Sequence, residues 1–292
     1  MAEQQEVPNY LETPEGRRLA YFKSDGSTPG VVYIHGLKSD MTGIKARSFE
    51  DCCRAKGKAY VRFDLSGHGR SSESFAQCNV STWLEDVNAV LSTLTSGPQI
   101  LIGSSIGGWL MFLYTMRNPE KVCGLIGIGA APDYTANLWR SLDKDTQKQV
   151  KRSGLYKLPY PEPYEISMQL IQDGDKYSIL DMPGLEIIQA PVWLFHGELD
   201  SIVPTSSSLF LVQRLNCPVT LKTVPDGDHR LSRPQDVQLV TEALLKLLNG
   251  EGIADPGDDV DEGCDPGDEE CEPGRNDSSR QEDGLGEDLP ED

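Results

Sequence analysis

Little in this 292-residue chain points to a metal, a redox centre or a membrane span. Its four histidines stand far apart and no Cys-x-x-Cys or His-x-x-x-His spacing occurs, which argues against a zinc site. The seven cysteines form no regular framework. Cys52, Cys53, Cys78, Cys123 and Cys217 lie in apolar or helical segments and Cys264 and Cys271 near the C-terminus, the pattern of reduced thiols in an intracellular protein. The N-terminus, Met-Ala-Glu-Gln-Gln-Glu-Val, has neither a basic n-region nor an apolar h-region, and its early acids are unlike a transit peptide; if it is the native start, it predicts a cytoplasmic protein.

Basic residues are also scarce. Lys and Arg number 27 against 46 Asp and Glu, a net charge of -19. Residues 251–292 hold 18 of those acids and only Arg275 and Arg280, so the acidity belongs to the tail. Such a charge disfavours nucleic acid and anionic membrane surfaces as partners. Ile100 to Met116 is 17 residues without a charged side chain, but it is short for a bilayer and interrupted by Gly103, Gly107 and Gly108, so no membrane span is expected.

That uncharged stretch organises the chain. An apolar run, Ile100 to Ile102, breaks at Gly103, and apolar residues resume at helical spacing through Leu110, Met111, Leu113 and Tyr114. Gly103-Ser104-Ser105-Ile106-Gly107 therefore fits the G-x-S-x-G strand–turn–helix elbow, in which glycines two before and two after the serine keep Cβ atoms out of a sharp turn. Ser105 at the apex would stand at the mouth of a helix whose free N–H groups favour a developing oxyanion.

Strands and helices alternate around it. Arg17–Lys23, Val31–Ile34, Ala59–Asp64, Cys123–Ile128, Val192–Phe195 and Val219–Val224 read as strands, with a turn over Ser24–Gly30. Ile44–Lys56, a segment opened by a Thr82-x-x-Glu85 capping box, Leu209–Leu215 and a segment opened by Pro234 read as helices. The fold class is α/β, a mostly parallel sheet flanked by helices. Residues 1–11 read as an N-terminal extension, 12–249 as the domain, and 250–292 as a disordered acidic tail. Residues 132–183 lose the alternation and read as a helical lid inserted over the sheet edge, with Trp139, Leu155 and Met168 as candidates to line a pocket.

Serine hydrolysis needs a base to take the hydroxyl proton and an acid to hold that base in one tautomer. Ser105, Asp200 and His229 each follow a different expected strand, in the chain order Ser, Asp, His. Glu198, Asp226 and Asp228 are weaker rivals for the acid. His35 and His68 also lie in strand-end loops, where a role in loop shape is the better expectation. The N–H groups of Leu37, after the Val31–Ile34 strand, and of Ile106 are the expected oxyanion donors. This chemistry needs neither metal nor organic cofactor.

Val31–Leu37, Asp64–Ser71, Gly103–Gly107, His196–Pro204 and Gly227–His229 resemble the α/β-hydrolase superfamily. Gly97–Leu101 and the Gly103–Met111 elbow are similar, within it, to the mitochondrial abhydrolase-domain palmitoyl-protein thioesterases, which also cleave acyl glucuronides. The resemblance spans roughly residues 12–249 and implies a serine hydrolase acting on S-acylated proteins or small acyl esters, with a mitochondrial address. The residues themselves establish only attack on an ester or thioester carbonyl. A general carboxylesterase, a peptidase of the same fold and a non-catalytic scaffold are the alternatives, and the serine at the elbow, where a dehalogenase carries aspartate, disfavours that chemistry. The sequence carries no signal for oligomeric state.

Overall fold

A computed structural model describes residues 6–158 and 164–251. The acidic tail beyond residue 251 and the proline-rich segment at 159–163 lie outside the described residues. In chain order the elements are β1 (Asn9–Glu12), β2 (Arg18–Ser24), β3 (Ser27–Ile34), α1 (Ile44–Ala55), β4 (Lys58–Phe63), α2 (Val80–Leu94), β5 (Gln99–Ser104), α3 (Ile106–Arg117) and β6 (Val122–Ile128). There follow α4 (Tyr134–Ser141), α5 (Lys144–Ser153), β7 (Leu155–Leu158), β8 (Tyr164–Ser167), α6 (Met168–Gly174), β9 (Val192–Gly197), α7 (Ser206–Arg214), β10 (Val219–Val224) and α8 (Pro234–Leu248).

Eight strands form one sheet in the order β1-β2-β4-β3-β5-β6-β9-β10. The pairs β1–β2 and β2–β4 are antiparallel and every later neighbour is parallel. The central strands are buried on both faces, which is why Val31–Ile34 and Ile100–Ile102 read as continuous apolar runs rather than as alternating ones. Their side chains still alternate in destination. Val32, Ile34 and Leu101 join a core with α2 and α3, while Val31, Tyr33, Ile100 and Ile102 join a second core under α1 and α8. Each fully buried aliphatic side chain of this kind contributes roughly 1.5–3 kcal/mol.

The elements depart from the sequence reading in four places. The sheet reaches back to Asn9, inside the stretch read as an N-terminal extension, because β1 is a four-residue edge strand with mostly exposed side chains and so has no apolar pattern. The expected turn at 24–30 shrinks to Asp25 and Gly26, since β3 begins at Ser27 and shifts register before Val31. Helix α2 starts two residues before the Thr82 box: Asn79 is its N-cap, accepting the Thr82 N–H at 2.9 Å, and Thr82 is the third helical residue. The 132–183 insertion is not wholly helical. Between α5 and α6 it carries an antiparallel two-stranded ribbon, β7–β8, whose exposed–intermediate alternation is too short to register as strand.

The inner part of that insertion is fastened to the body at several points. Asp133 receives the N–H groups of Ile179 (2.8 Å) and Leu180 (3.2 Å) and the Ser178 hydroxyl. Trp109 Nε1 of α3 donates to Tyr177 O at 3.0 Å. Ser81 of α2 donates from N and Oγ to Asp173, and Arg214 of α7 donates to the carbonyls of Leu180 and Met182. Trp139 and Met168 pack half-buried against the core, whereas Leu155 is exposed at the start of β7.

Candidate active site

Strand β5 passes directly into α3 through Ser105, whose φ of 55° and ψ of -120° lie in a region that L-residues seldom occupy. Holding a non-glycine residue there costs on the order of 1–3 kcal/mol, which the surrounding packing must overcome. The two elbow glycines show how. A Cβ on Gly103 would come within 2.5 Å of Gly107 O, and one on Gly107 would run into the carbonyl oxygens of Ile34 and His35. The first turn of α3 thus sits flush against β5 and the end of β3 together. The Ser105 N–H donates to Ile128 O at 2.9 Å, and its carbonyl accepts from Gly108 and Ala131, so the backbone of the turn is fixed from three sides.

The hydroxyl that this turn presents meets a chain of partners. His229, five residues beyond β10, places Nε2 at 3.0 Å from Ser105 Oγ. Its Nδ1 lies 2.7 Å from Oδ2 of Asp200, three residues beyond β9. The other carboxylate oxygen, Oδ1, accepts the N–H groups of Ile202 (2.8 Å) and Val203 (2.9 Å). Ser105, Asp200 and His229 therefore stand in one hydrogen-bonded line across the C-terminal ends of β5, β9 and β10, where an α/β sheet presents ligand sites. The Leu37 loop follows β3, next to β5 in the sheet. Among the described residues neither Leu37 N–H nor Ile106 N–H donates to a protein acceptor.

The carboxylate rivals are engaged elsewhere. Asp226 pairs with Arg233 at 2.7 Å, Asp228 Oδ1 accepts the N–H groups of Arg230 and Leu231, and Glu198 is exposed. His35 Nδ1–H donates to Gly36 O while Nε2 accepts the Leu65 N–H, stitching the loops after β3 and β4. His68 bonds Ser66 O through Nδ1 and is packed edge-on against His35, Phe75 and Trp83.

Residues 29–153 match the family model described as the alpha/beta hydrolase fold. The mitochondrial palmitoyl-protein thioesterase ABHD10 of Mus musculus is 38% identical over 246 residues, covering 82% of this chain and 82% of its own length. The chain belongs to the α/β-hydrolase family. The Bos taurus ABHD10 is 35% identical over 82% of this chain and 80% of its own. The solved structure of mouse ABHD10 superposes with a TM-score of 0.79 at 35% identity, covering 84% of this chain and 100% of that one.

In this α/β-hydrolase the electrostatics separate the site from its surroundings. Burial alone would raise the Asp200 carboxyl, but hydrogen bonds from His196 and His229, the charge of His229 and the Val203 N–H outweigh it and hold the group well below the usual carboxylate range. Asp200 is therefore ionised at neutral pH. Burial pushes His68 down to about 3 and also lowers His35, so neither is a charged group near neutral pH. Among the described residues no group of His, Cys, Asp and Glu is arranged to hold a metal ion, and no helix is long and apolar enough to cross a membrane.

Two contributors to the site escaped the sequence reading. Lys45, on α1, is buried and its Nζ donates to Arg230 O and, at 2.9 Å, to Ser232 Oγ, bracing the loop that carries His229. Nothing in the sequence signals this, since a lysine in a helix ordinarily faces water. His196 is the other. Its place four residues before Asp200 at a strand end was a usable signal, and the structure puts it against the carboxylate.

Proposed function

We propose that this hydrolase removes fatty acyl groups from protein cysteines by a Ser105–His229–Asp200 mechanism, with S-palmitoyl thioesters as its main substrates. The observation that carries the reading is the unbroken 3.0 Å and 2.7 Å line from Ser105 Oγ through His229 to Asp200 Oδ2. His229 takes the Ser105 proton as Oγ attacks the acyl carbonyl. The resulting oxyanion lies between the N–H groups of Leu37 and Ile106, both without a protein acceptor among the described residues. Each such donor is worth about 3–4 kcal/mol of transition-state stabilisation. Protonated His229 then delivers its proton to the departing thiolate, and water, deprotonated by the same ring, releases the fatty acid and restores Ser105.

The names of the ABHD10 relatives support the thioester assignment and a mitochondrial address. On this reading the insertion at 132–183, whose inner part is tied to α3 through Trp109 and Tyr177, acts as the lid that selects the acyl chain. An oxygen ester such as an acyl glucuronide passes through the same tetrahedral intermediate and belongs to the same proposal.

The test is palmitate release from a palmitoyl-cysteine peptide beside turnover of a short p-nitrophenyl ester, for wild type and Ser105→Ala. Preference for the long thioester, with both activities lost in the variant, is the expected result. Cleavage of the short ester alone would make the protein a general carboxylesterase, and full activity in Ser105→Ala would overturn the mechanism.

A further inference from the structure

His196 is the penultimate residue of β9 and is completely buried. Its ring is held on both sides. Nδ1 lies 2.7 Å from Ser208 Oγ, on α7, and Nε2 lies 2.9 Å from Val203 O. A carbonyl oxygen can only accept, so the ring proton sits on Nε2, and in the neutral ring Nδ1 then accepts the Ser208 hydroxyl. The same Nε2 atom is 3.3 Å from Asp200 Oδ2, the oxygen that His229 Nδ1 approaches at 2.7 Å. One carboxylate oxygen thus faces two imidazoles, and the other takes two backbone N–H groups. The Asp200 carboxylate is thereby held by three hydrogen-bond donors, His229 Nδ1 and the N–H groups of Ile202 and Val203, with the polar Nε2–H edge of His196 set beside Oδ2 as a fourth, longer electrostatic contact.

We infer that His196 is a positioning residue, which, given the Ser105–His229–Asp200 reading, fixes the direction of the Asp200 carboxylate and through it the tautomer and aim of His229. Ser208 sets the proton on Nε2 of His196, the side facing the carboxylate, by donating to Nδ1. The tie also joins three elements that converge on the site: β9 through His196, its following turn through Asp200 and Val203, and α7 through Ser208. Among the described residues Asp200 is the charged group that meets the ring, His229 approaches the same carboxylate oxygen, and α7 meets the ring through the neutral Ser208 hydroxyl.

Removing the His196 N–H takes a positive edge from beside Oδ2 and leaves more of its charge to His229. The imidazolium of His229 is then stabilised, and the acid limb of the kcat/KM profile moves to higher pH. Misdirection of the ring separately lowers kcat, by about 10- to 100-fold for displacements approaching 1 Å.

The experiment compares wild type, Ser105→Ala, His196→Leu, His196→Gln and Ser208→Ala by fluorophosphonate labelling and by p-nitrophenyl ester kinetics across pH. Labelling of wild type and its loss in Ser105→Ala test the triad reading alone; a wild type that does not label overturns that reading. On a labelling enzyme, His196→Leu is expected to lower kcat by about tenfold or more with KM within twofold, and to move the acid limb upward. His196→Gln, whose amide N–H can reach Val203 O and the carboxylate, is expected to restore most of both. If His196→Leu does not fold, Ser208→Ala carries the same expectation at smaller size. Equal losses in Leu and Gln with an unmoved pH profile, or an unchanged kcat in a folded Leu or Ser208→Ala variant, would overturn the inference.

Discussion

Replacing Asp200 by Asn exchanges one carboxylate oxygen for an NH2 group and should nearly silence the enzyme without unfolding it. Oδ1 of Asp200 accepts two backbone N–H groups, from Ile202 and Val203, at 2.8 and 2.9 Å. An asparagine therefore has to keep its carbonyl oxygen on that side, because turning the amide around would set an NH2 against two donors, at about 1–3 kcal/mol for each bond lost. The NH2 then faces His229 Nδ1, which must become an acceptor. The ring proton moves to Nε2, directed at Ser105 Oγ 3.0 Å away, and the ring can no longer take the serine proton. Trapping the wrong tautomer in a triad of this type lowers kcat about 10⁴-fold, or about 5.4 kcal/mol.

The assay is p-nitrophenyl ester turnover, with KM expected to stay within a few-fold and the rate of fluorophosphonate labelling falling in step with kcat. Stability adds a second reading. The folded-state pKa of Asp200 lies below its ordinary 3.8, so its contribution is present above that value and lost as pH falls through the folded pKa. The stability gap between wild type and Asp200→Asn should accordingly be larger at neutral pH than in acid. A variant that folds and keeps a tenth or more of wild-type kcat would refute the tautomer argument.

Three further outcomes follow from the same geometry. Burial holds Lys45 down at about 8 against an ordinary 10.5, so between those values the unfolded chain binds more protons than the folded one and stability rises with pH. Relative to Lys45→Met, wild type should gain about 3 kcal/mol between pH 8 and 10.5 in chemical denaturation, and a constant difference would contradict it. Gly107→Ala forces a methyl into the Ile34 and His35 carbonyls, and should lower stability by about 3 kcal/mol, measured by the same denaturation, while displacing the Leu37 loop and abolishing turnover. Asp133→Ala strips the acceptor from Ser178, Ile179 and Leu180, and should cost about 2–3 kcal/mol locally, seen as faster amide exchange at Ile179 and Leu180 with α3 unchanged.

The sequence made the sheet centre and the Ser–Asp–His line legible for a shared reason. Parallel strands buried on both faces must be apolar throughout, and the residues that follow them fall at one edge, so Ser105, Asp200 and His229 could be aligned by chain order before any distance was known. The edge strand β1 was invisible because Asn9–Glu12 is held by backbone pairing to β2, which leaves no mark on side-chain pattern. The start of α2 was misplaced because Thr82 is itself a good capping residue, and only tertiary geometry shows that Asn79 does the capping. Lys45 and His196 belong to a third category. Lys45 acts through Arg230 and Ser232, far away in sequence, and no local spacing encodes that meeting; His196 meets Val203 and Ser208 a few residues on, but its i,i+4 spacing to Asp200 marks only nearness and not the direction of the ring.

The fastening of the insertion divides it into two mechanical parts. Residues 173–182 are anchored to α2, α3, α7 and the turn after β6 by hydrogen bonds at Asp173, Tyr177, Ile179, Leu180 and Met182. With the insertion acting as the proposed lid, breathing that admits a long acyl chain would hinge in front of that belt, through α4, α5 and the β7–β8 ribbon. The floor of the entrance would keep its shape while the roof travels. Selectivity for chain length and speed of product escape would consequently be separable properties, each tunable without disturbing the other.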